Sequence, residues 1–233
     1  MTVKVIPEVQ SRRVTIDGER FYEVNGRLYP SVTTILSVVA KPALVKWAKR
    51  TAIDFVRSAV GDAPFVTKEE LEEILDRALV EPERIKNAAA GRGTALHEGI
   101  ADRAREGVGQ EFEVLRRLGL AVIATEVTVY SERGFAGTAD VVAVDHHGRI
   151  VVIDWKSGGV WPEHAMQVAA YRLAVAEMTK RPVGAAYVIG LKGKQPAVHR
   201  VSIEPATRGF LGTLELYRAL RGEELLSLER TTR

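Results

Sequence analysis

Cysteine is absent from the 233 residues. That excludes disulfides, thiolate zinc sites and a cysteine-ligated iron–sulfur cluster, and it fits an intracellular chain. No run of about 18 apolar residues occurs, so no membrane span is expected. The opening Met-Thr-Val-Lys-Val-Ile-Pro lacks the long apolar segment of a secretory signal. A cytoplasmic location is the resulting expectation. There is no Gly-x-x-x-x-Gly-Lys-Ser/Thr loop, hence no nucleotide-driven motor in cis. One-sided charge is also missing: 33 Lys and Arg stand against 30 Asp and Glu, for a net charge of +3. Clusters such as Lys46, Lys49 and Arg50 suit phosphate contact, but alone they read better as solvated surface. His97-Glu98 hints at a zinc peptidase helix, yet position 101 is Ala where a second histidine is required.

The length suits one domain, with or without a small appendage, and an apolar content of 46% supports a sizeable core. Residues 12–29 alternate apolar and polar around Asp17-Gly18 and Asn25-Gly26, the pattern of a small β-meander. Ser31 caps a short helix, and Pro42 opens another to about residue 59. Thr67-Lys-Glu-Glu70 has capping-box spacing ahead of Leu71, Ile74 and Leu75. Residues 83–106 read as a further helix carrying His97. The period then changes. Residues 120–130, 135–144 and 149–156 are rich in Val, Ile and Thr and predict a three-stranded antiparallel meander. A helix from Pro162 to about 179, strands at 185–191 and 198–203, and a helix from Pro205 complete the chain. The expected fold class is α/β, a mixed sheet flanked by helices. Residues 1–82 are expected to form an N-terminal β-meander and helical region, and 83–233 the core of a single domain.

Chemistry concentrates in Gly137-Thr-Ala-Asp140 and, fourteen residues on, Asp154-Trp155-Lys156. Ionised groups inside apolar runs are costly unless paired or bound to a metal. Asp154 and Lys156 lie two apart on a strand and share a face. If the hairpin after Asp140 is symmetric about His147, opposed residues sum to 294 and Asp140 meets Asp154. If the preceding hairpin is symmetric about Arg133, the sum is 266 and Glu126 meets Asp140. Directly opposed Cβ atoms would then be about 5 Å apart, although Gly134 and Gly137 could host bulges. Three anions in a row need a cation, and oxygen ligands with one imidazole, His97, favour Mg²⁺ or Mn²⁺ over Zn²⁺. Such an ion can ligate a scissile phosphate and activate water. Lys156 would orient that water or stabilise the charged transition state. Each piece has a plainer reading alone: Asp-x-Lys as a surface pair, Glu126 as an edge-strand charge, His97 as a packed histidine. Gln167 and Tyr171, one helical turn apart, would by default be a solvated Gln and a packed Tyr.

Together, Gly93-Thr-Ala-Leu-His97, Glu126, Gly137-Thr-Ala-Asp140, Ile153-Asp-Trp-Lys-Ser157 and Gln167-Val-Ala-Ala-Tyr171 resemble the PD-(D/E)xK nuclease superfamily, specifically its RecB-like exonuclease branch. Tyr29-Pro-Ser-Val-Thr-Thr-Ile-Leu36 with Leu44-Val-Lys-Trp47 looks more loosely like the N-terminal region of phage-type and mitochondrial genome maintenance exonucleases. The resemblance implies a restriction-endonuclease-like core. It implies that His97, Asp140, Asp154 and the Trp155 carbonyl are metal ligands and that Glu126 holds a metal directly or through water. Lys156 would be the catalytic lysine, and Gln167 and Tyr171 a helix motif supporting the site and the DNA. Ser31, Thr33 and Arg92 are candidate phosphate contacts. The absent cysteines depart from those relatives that carry a four-cysteine cluster.

The leading expectation is a Mg²⁺- or Mn²⁺-dependent DNA exonuclease acting on single-stranded or duplex ends, with no membrane partner. Its rivals are an endonuclease on branched or duplex DNA and a catalytically silent nucleic-acid-binding module on the same fold. Clustered carboxylates argue against the silent module, because they would repel phosphate.

Overall fold

The computed structural model describes residues 6–39, 42–106, 109–193 and 195–222. Side chains at 42–43, 89–90, 92–98, 100–106 and 110 lie outside the described set. The chain divides into two compact units, one of Met1–Val39 with His97–Arg233 and one of Ala40–Leu96.

The first unit begins with strands β1 (Ser11–Ile16), β2 (Glu19–Val24) and β3 (Arg27–Pro30), an antiparallel meander in that order. Both connections are two residues long, and Asp17, Gly18, Asn25 and Gly26 all have φ between 50° and 78°. That is the turn whose twist matches paired strands, and it explains why Asx-Gly sits at each. A one-turn helix, α1 (Val32–Ile35), follows. The Ser31 hydroxyl accepts from Thr34 N–H at 3.0 Å, capping it.

The main sheet has five strands in sequential order: β4 (Ala121–Ser131), β5 (Phe135–Val144), β6 (Ile150–Lys156), β7 (Val183–Gly190) and β8 (Ala197–Arg200). It is mixed. All neighbours are antiparallel except β6 and β7. That parallel pair requires a crossover, supplied by α5 (Pro162–Thr179). Six of the seven residues of β6 are buried, as expected of a central strand covered on both faces. Helix α5 and helix α6 (Ile203–Gly222) pack together beside the sheet. Val152, Val188, Val168, Ala169, Phe210 and Leu214 share the core beneath them. On the opposite side of β5, Ala136 joins Tyr22, Val24 and Tyr29 of the meander in a second apolar cluster. The expected mixed α/β architecture is present.

Three local readings change. The helix starting after Thr67 and the one expected from residue 83 are a single α3 (Lys68–Glu106), which runs through Pro82. A proline there removes one hydrogen bond, yet the strongly helix-forming flanks carry the helix across it. A further helix, α4 (Gly109–Arg117), precedes β4 and buries Val114 and Leu115. The terminal helix starts at Ile203, and β8 ends at Arg200 rather than 203. The second unit contains α2 (Pro42–Val60) and the first part of α3, with the Arg77 guanidinium over the ring of Phe55, 5.4 Å from its centroid.

Candidate active site

Both hairpins adopt the registers that the acid spacing predicts. Val127–Ala139 and Thr128–Thr138 satisfy the sum of 266, and Val141–Ile153 and Val142–Val152 the sum of 294. The β5–β6 ladder stops at Val141–Ile153, one step short of the acids. There β6 continues alone with β7, as far as Lys156 opposite Gly190. Asp140 fills the resulting fork: its Oδ2 accepts the Trp155 backbone N–H at 2.7 Å. A carboxylate thereby replaces the next rung of backbone pairing and ties the two acidic strands together.

Side-chain alternation slips by one residue at the same level. Along β5, Phe135 and Ala139 belong to the core beside α5, but farther on it is Val142. Along β4, Val127 and Val129 give way to Ala124. Between them Glu126 has a φ of +50° and is exposed. This left-handed backbone is uncommon outside glycine. It departs from the extended geometry that sets opposed side chains side by side. Glu126 is therefore opposite Asp140 in register, but among the described residues no three His, Asp or Glu gather into a group able to hold an ion.

Asp154 is fully buried and Asp140 is 7% exposed. The Lys156 ammonium lies 2.6 Å from Asp154 Oδ2. From α5, Gln167 Nε2 donates to the Tyr171 hydroxyl at 3.0 Å. Burial first, and then the charge of Asp154, hold the Tyr171 phenol well above its ordinary range; Asp140 acts in the same direction, while the Gln167 bond opposes it. A single buried hydroxyl thus feels both acids. Gly137 makes the fit possible, because a Cβ there would lie 2.5 Å from Tyr171 Cε1. The motif glycine serves a close approach of strand and ring. Tyr22 reaches β5 from the meander, its hydroxyl 2.9 Å from Thr138 Oγ1. Sequence patterning gave no signal for that contact.

The structure thus brings Asp140, Asp154, Trp155, Lys156, Gln167 and Tyr171 together. Ser31 is 2% exposed and spends its hydroxyl on the α1 cap and on Thr33 Oγ1, 2.9 Å away. That commitment is at odds with a phosphate contact at Ser31, while Thr33 is exposed beside it. His97 and Arg92 fall on the backbone of α3, and their side chains lie outside the described residues.

The donor chemistry fits a divalent cation. Two carboxylates gather in a place water scarcely reaches, and oxygen donors of this kind suit a hard cation. A model of the PD-(D/E)XK nuclease superfamily matches residues 46–226, well over half of the chain. The chain belongs to the PD-(D/E)XK nuclease superfamily. No curated protein matches it. Among solved structures it is similar to one described as "Crystal structure of SSO0001", at 13% identity over 74% of this chain and 85% of that one, with a TM-score of 0.37. Membership of the PD-(D/E)XK superfamily implies phosphodiesterase activity on nucleic acid. Its nucleases typically use divalent metals, which agrees with the two buried carboxylates at the fork. No described helix is long and apolar enough to cross a membrane.

Proposed function

We propose that this superfamily member is a RecB-like DNA exonuclease that uses Mg²⁺ or Mn²⁺ to hydrolyse phosphodiester bonds from single-stranded ends. The observation that supports the reading is the fork between β5 and β6, where Asp140 is fixed by the Trp155 N–H and the buried Asp154 is paired with Lys156. In this reading Asp140, Asp154, the Trp155 carbonyl and His97 hold the metal, with Glu126 a direct or water-mediated ligand. When bound, the dication would neutralise the scissile phosphate and make water a stronger nucleophile.

The chain's own contribution is positioning and charge. Asp154 holds the Lys156 ammonium in one place, so its positive charge needs no reorganisation as negative charge grows on the phosphate. Gln167 occupies an acceptor position of the Tyr171 oxygen and so fixes the hydroxyl in place. Burial keeps the proton on Tyr171 throughout the working pH range.

The test is digestion of end-labelled linear single-stranded, duplex and circular single-stranded DNA with Mg²⁺, Mn²⁺ or EDTA. Release of short products from linear single strands, metal-dependent and absent on circles, is the expected result. Unchanged cutting in EDTA would refute the metal mechanism. Circles cut as fast as linear strands would replace the exonuclease with an endonuclease. DNA bound but never cut would favour the silent module.

A further inference from the structure

A second feature shares the acidic face of the sheet. Asp154 is registered with Val188 on β7, and Val188 with His199 on β8. Registered neighbours project from the same face, so the three form one row. His199 stands two strand spacings, about 10 Å, from Asp154. Over this row lies a groove of about 400 Å³ with Val160, Met166 and Val188 as apolar lining and His199 and Arg200 as polar lining. Among the described residues that line it none is acidic. The other described cavities differ: one is lined by Glu132 and Glu177, another by Glu113.

The groove is lined from β7, the strand paired with the one that carries Asp154 and Lys156. Its Val160 ends the five-residue segment that begins at Lys156, and Val160 Cγ2 would lie 3.2 Å from a Cβ on Gly190, the residue registered with Lys156. The next residue, Trp161, is 54% exposed although it is the largest apolar side chain of the loop. Its ring lies close against the bare backbone of Gly159, where a Cβ would be 3.4 Å from Cζ2. Its backbone is fixed as well, since Trp161 N–H donates to His164 Nδ1 at 3.1 Å. A large indole, held at its base and open on its outer side, beside a groove with cationic and no acidic lining, suits a flat, apolar group attached to a phosphate.

We infer that Trp161 and the Val160–Val188–His199 groove form a subsite for one unpaired nucleobase of the substrate strand next to the scissile phosphate. The base stacks on Trp161, and Arg200 meets the adjoining backbone phosphate. The inference rests on the nuclease reading and deepens it. Stacking needs a base free of its duplex partner, so the subsite selects single strands.

The test is anisotropy binding of a short labelled oligothymidylate in EDTA, with KM measured in Mg²⁺ in parallel. Trp161→Ala should weaken both about 5- to 150-fold, the range expected for one stacked base, while Trp161→Phe keeps most of the affinity. Moving a single abasic site along the strand should find one position that costs wild type the same factor and costs Trp161→Ala nothing further. Arg200→Gln should lower the slope of log affinity against log salt by about 1. Equal affinity of Trp161→Ala and wild type, or the same abasic penalty in both at every position, overturns the subsite. If wild type still cuts DNA in that case, the nuclease reading stands. A wild type that neither binds nor cuts overturns both.

Discussion

Lys156 and Asp154 test the site at the scale of single residues. Asp154 has no exposed surface and sits 2.6 Å from the ammonium. Replacing Lys156 by Met leaves a buried carboxylate without that charge, a loss that in buried pairs costs about 3–5 kcal/mol. Urea denaturation of metal-free protein should register it as a fall in midpoint. Cleavage should drop on the order of 100- to 1000-fold, as for loss of one preorganised charge-stabilising donor, while single-stranded DNA is still bound. A variant that cuts at the wild-type rate would remove Lys156 from the chemistry. Tyr171 makes a pH prediction. Its folded pKa is raised above the unfolded value of about 10, so its contribution to stability is complete below that pH. It is lost as pH rises toward the folded value, because the unfolded chain releases the proton first. Ultraviolet titration should therefore show Tyr171 ionising only together with alkaline unfolding. The amplitude of that delayed step should fall by one phenol in Tyr171→Phe. A phenol that titrates at ordinary pH in folded protein would mean Tyr171 is not sealed against the acids.

Elements place these residues, and Gly137 is where strand and helix constrain each other most. Ala at this position puts a methyl 2.5 Å from Tyr171 Cε1, and both partners are held, one in β5 and the other in α5. Overpacking of this kind costs about 1–3 kcal/mol. Gly137→Ala should lower the melting temperature and reduce cleavage, and its stability cost should shrink when it is made in a Tyr171→Ala background; an equal cost in both backgrounds would mean that the clash relaxes elsewhere. How much of this was legible in the sequence differs by element. The two hairpin registers could be read from the fourteen-residue spacing of Glu126, Asp140 and Asp154 and from the turn glycines, because period-two strands and short turns leave few alternatives. The fork was not legible. A ladder that ends one residue before the acids, and an alternation that slips at Glu126, arise from a positive φ at a non-glycine residue and a carboxylate–backbone bond, which leave no mark in hydropathy. Helix α3 was read as two because Pro82 punctuates the pattern, and α4 was missed because nine residues carry too few apolar positions to declare a period. The Ser31 hydroxyl read as a helix cap and as a candidate phosphate contact, and the structure shows it buried on the α1 cap.

On the scale of the whole molecule, the site trades stability for function. A core of apolar residues beside α5 and α6 is interrupted at the fork by two carboxylates and one ammonium. Such groups destabilise a fold unless their charge is balanced, so a dication that binds the folded chain should also stabilise it. At a free concentration 100 times its dissociation constant the gain is about 2.7 kcal/mol. For a chain of this length each kcal/mol moves the melting temperature by about 2–4 °C, so a rise of roughly 5–11 °C is expected with Mg²⁺ or Mn²⁺ and its reversal with EDTA. Asp154→Asn supplies the control. It removes the buried negative charge at the fork, so the response to metal should fall away. A shift of equal size in wild type and Asp154→Asn would locate the stabilising ion elsewhere on the molecule. The absence of any shift in wild type would mean that no ion binds at the fork, and Asp154 would then have no role as a metal ligand.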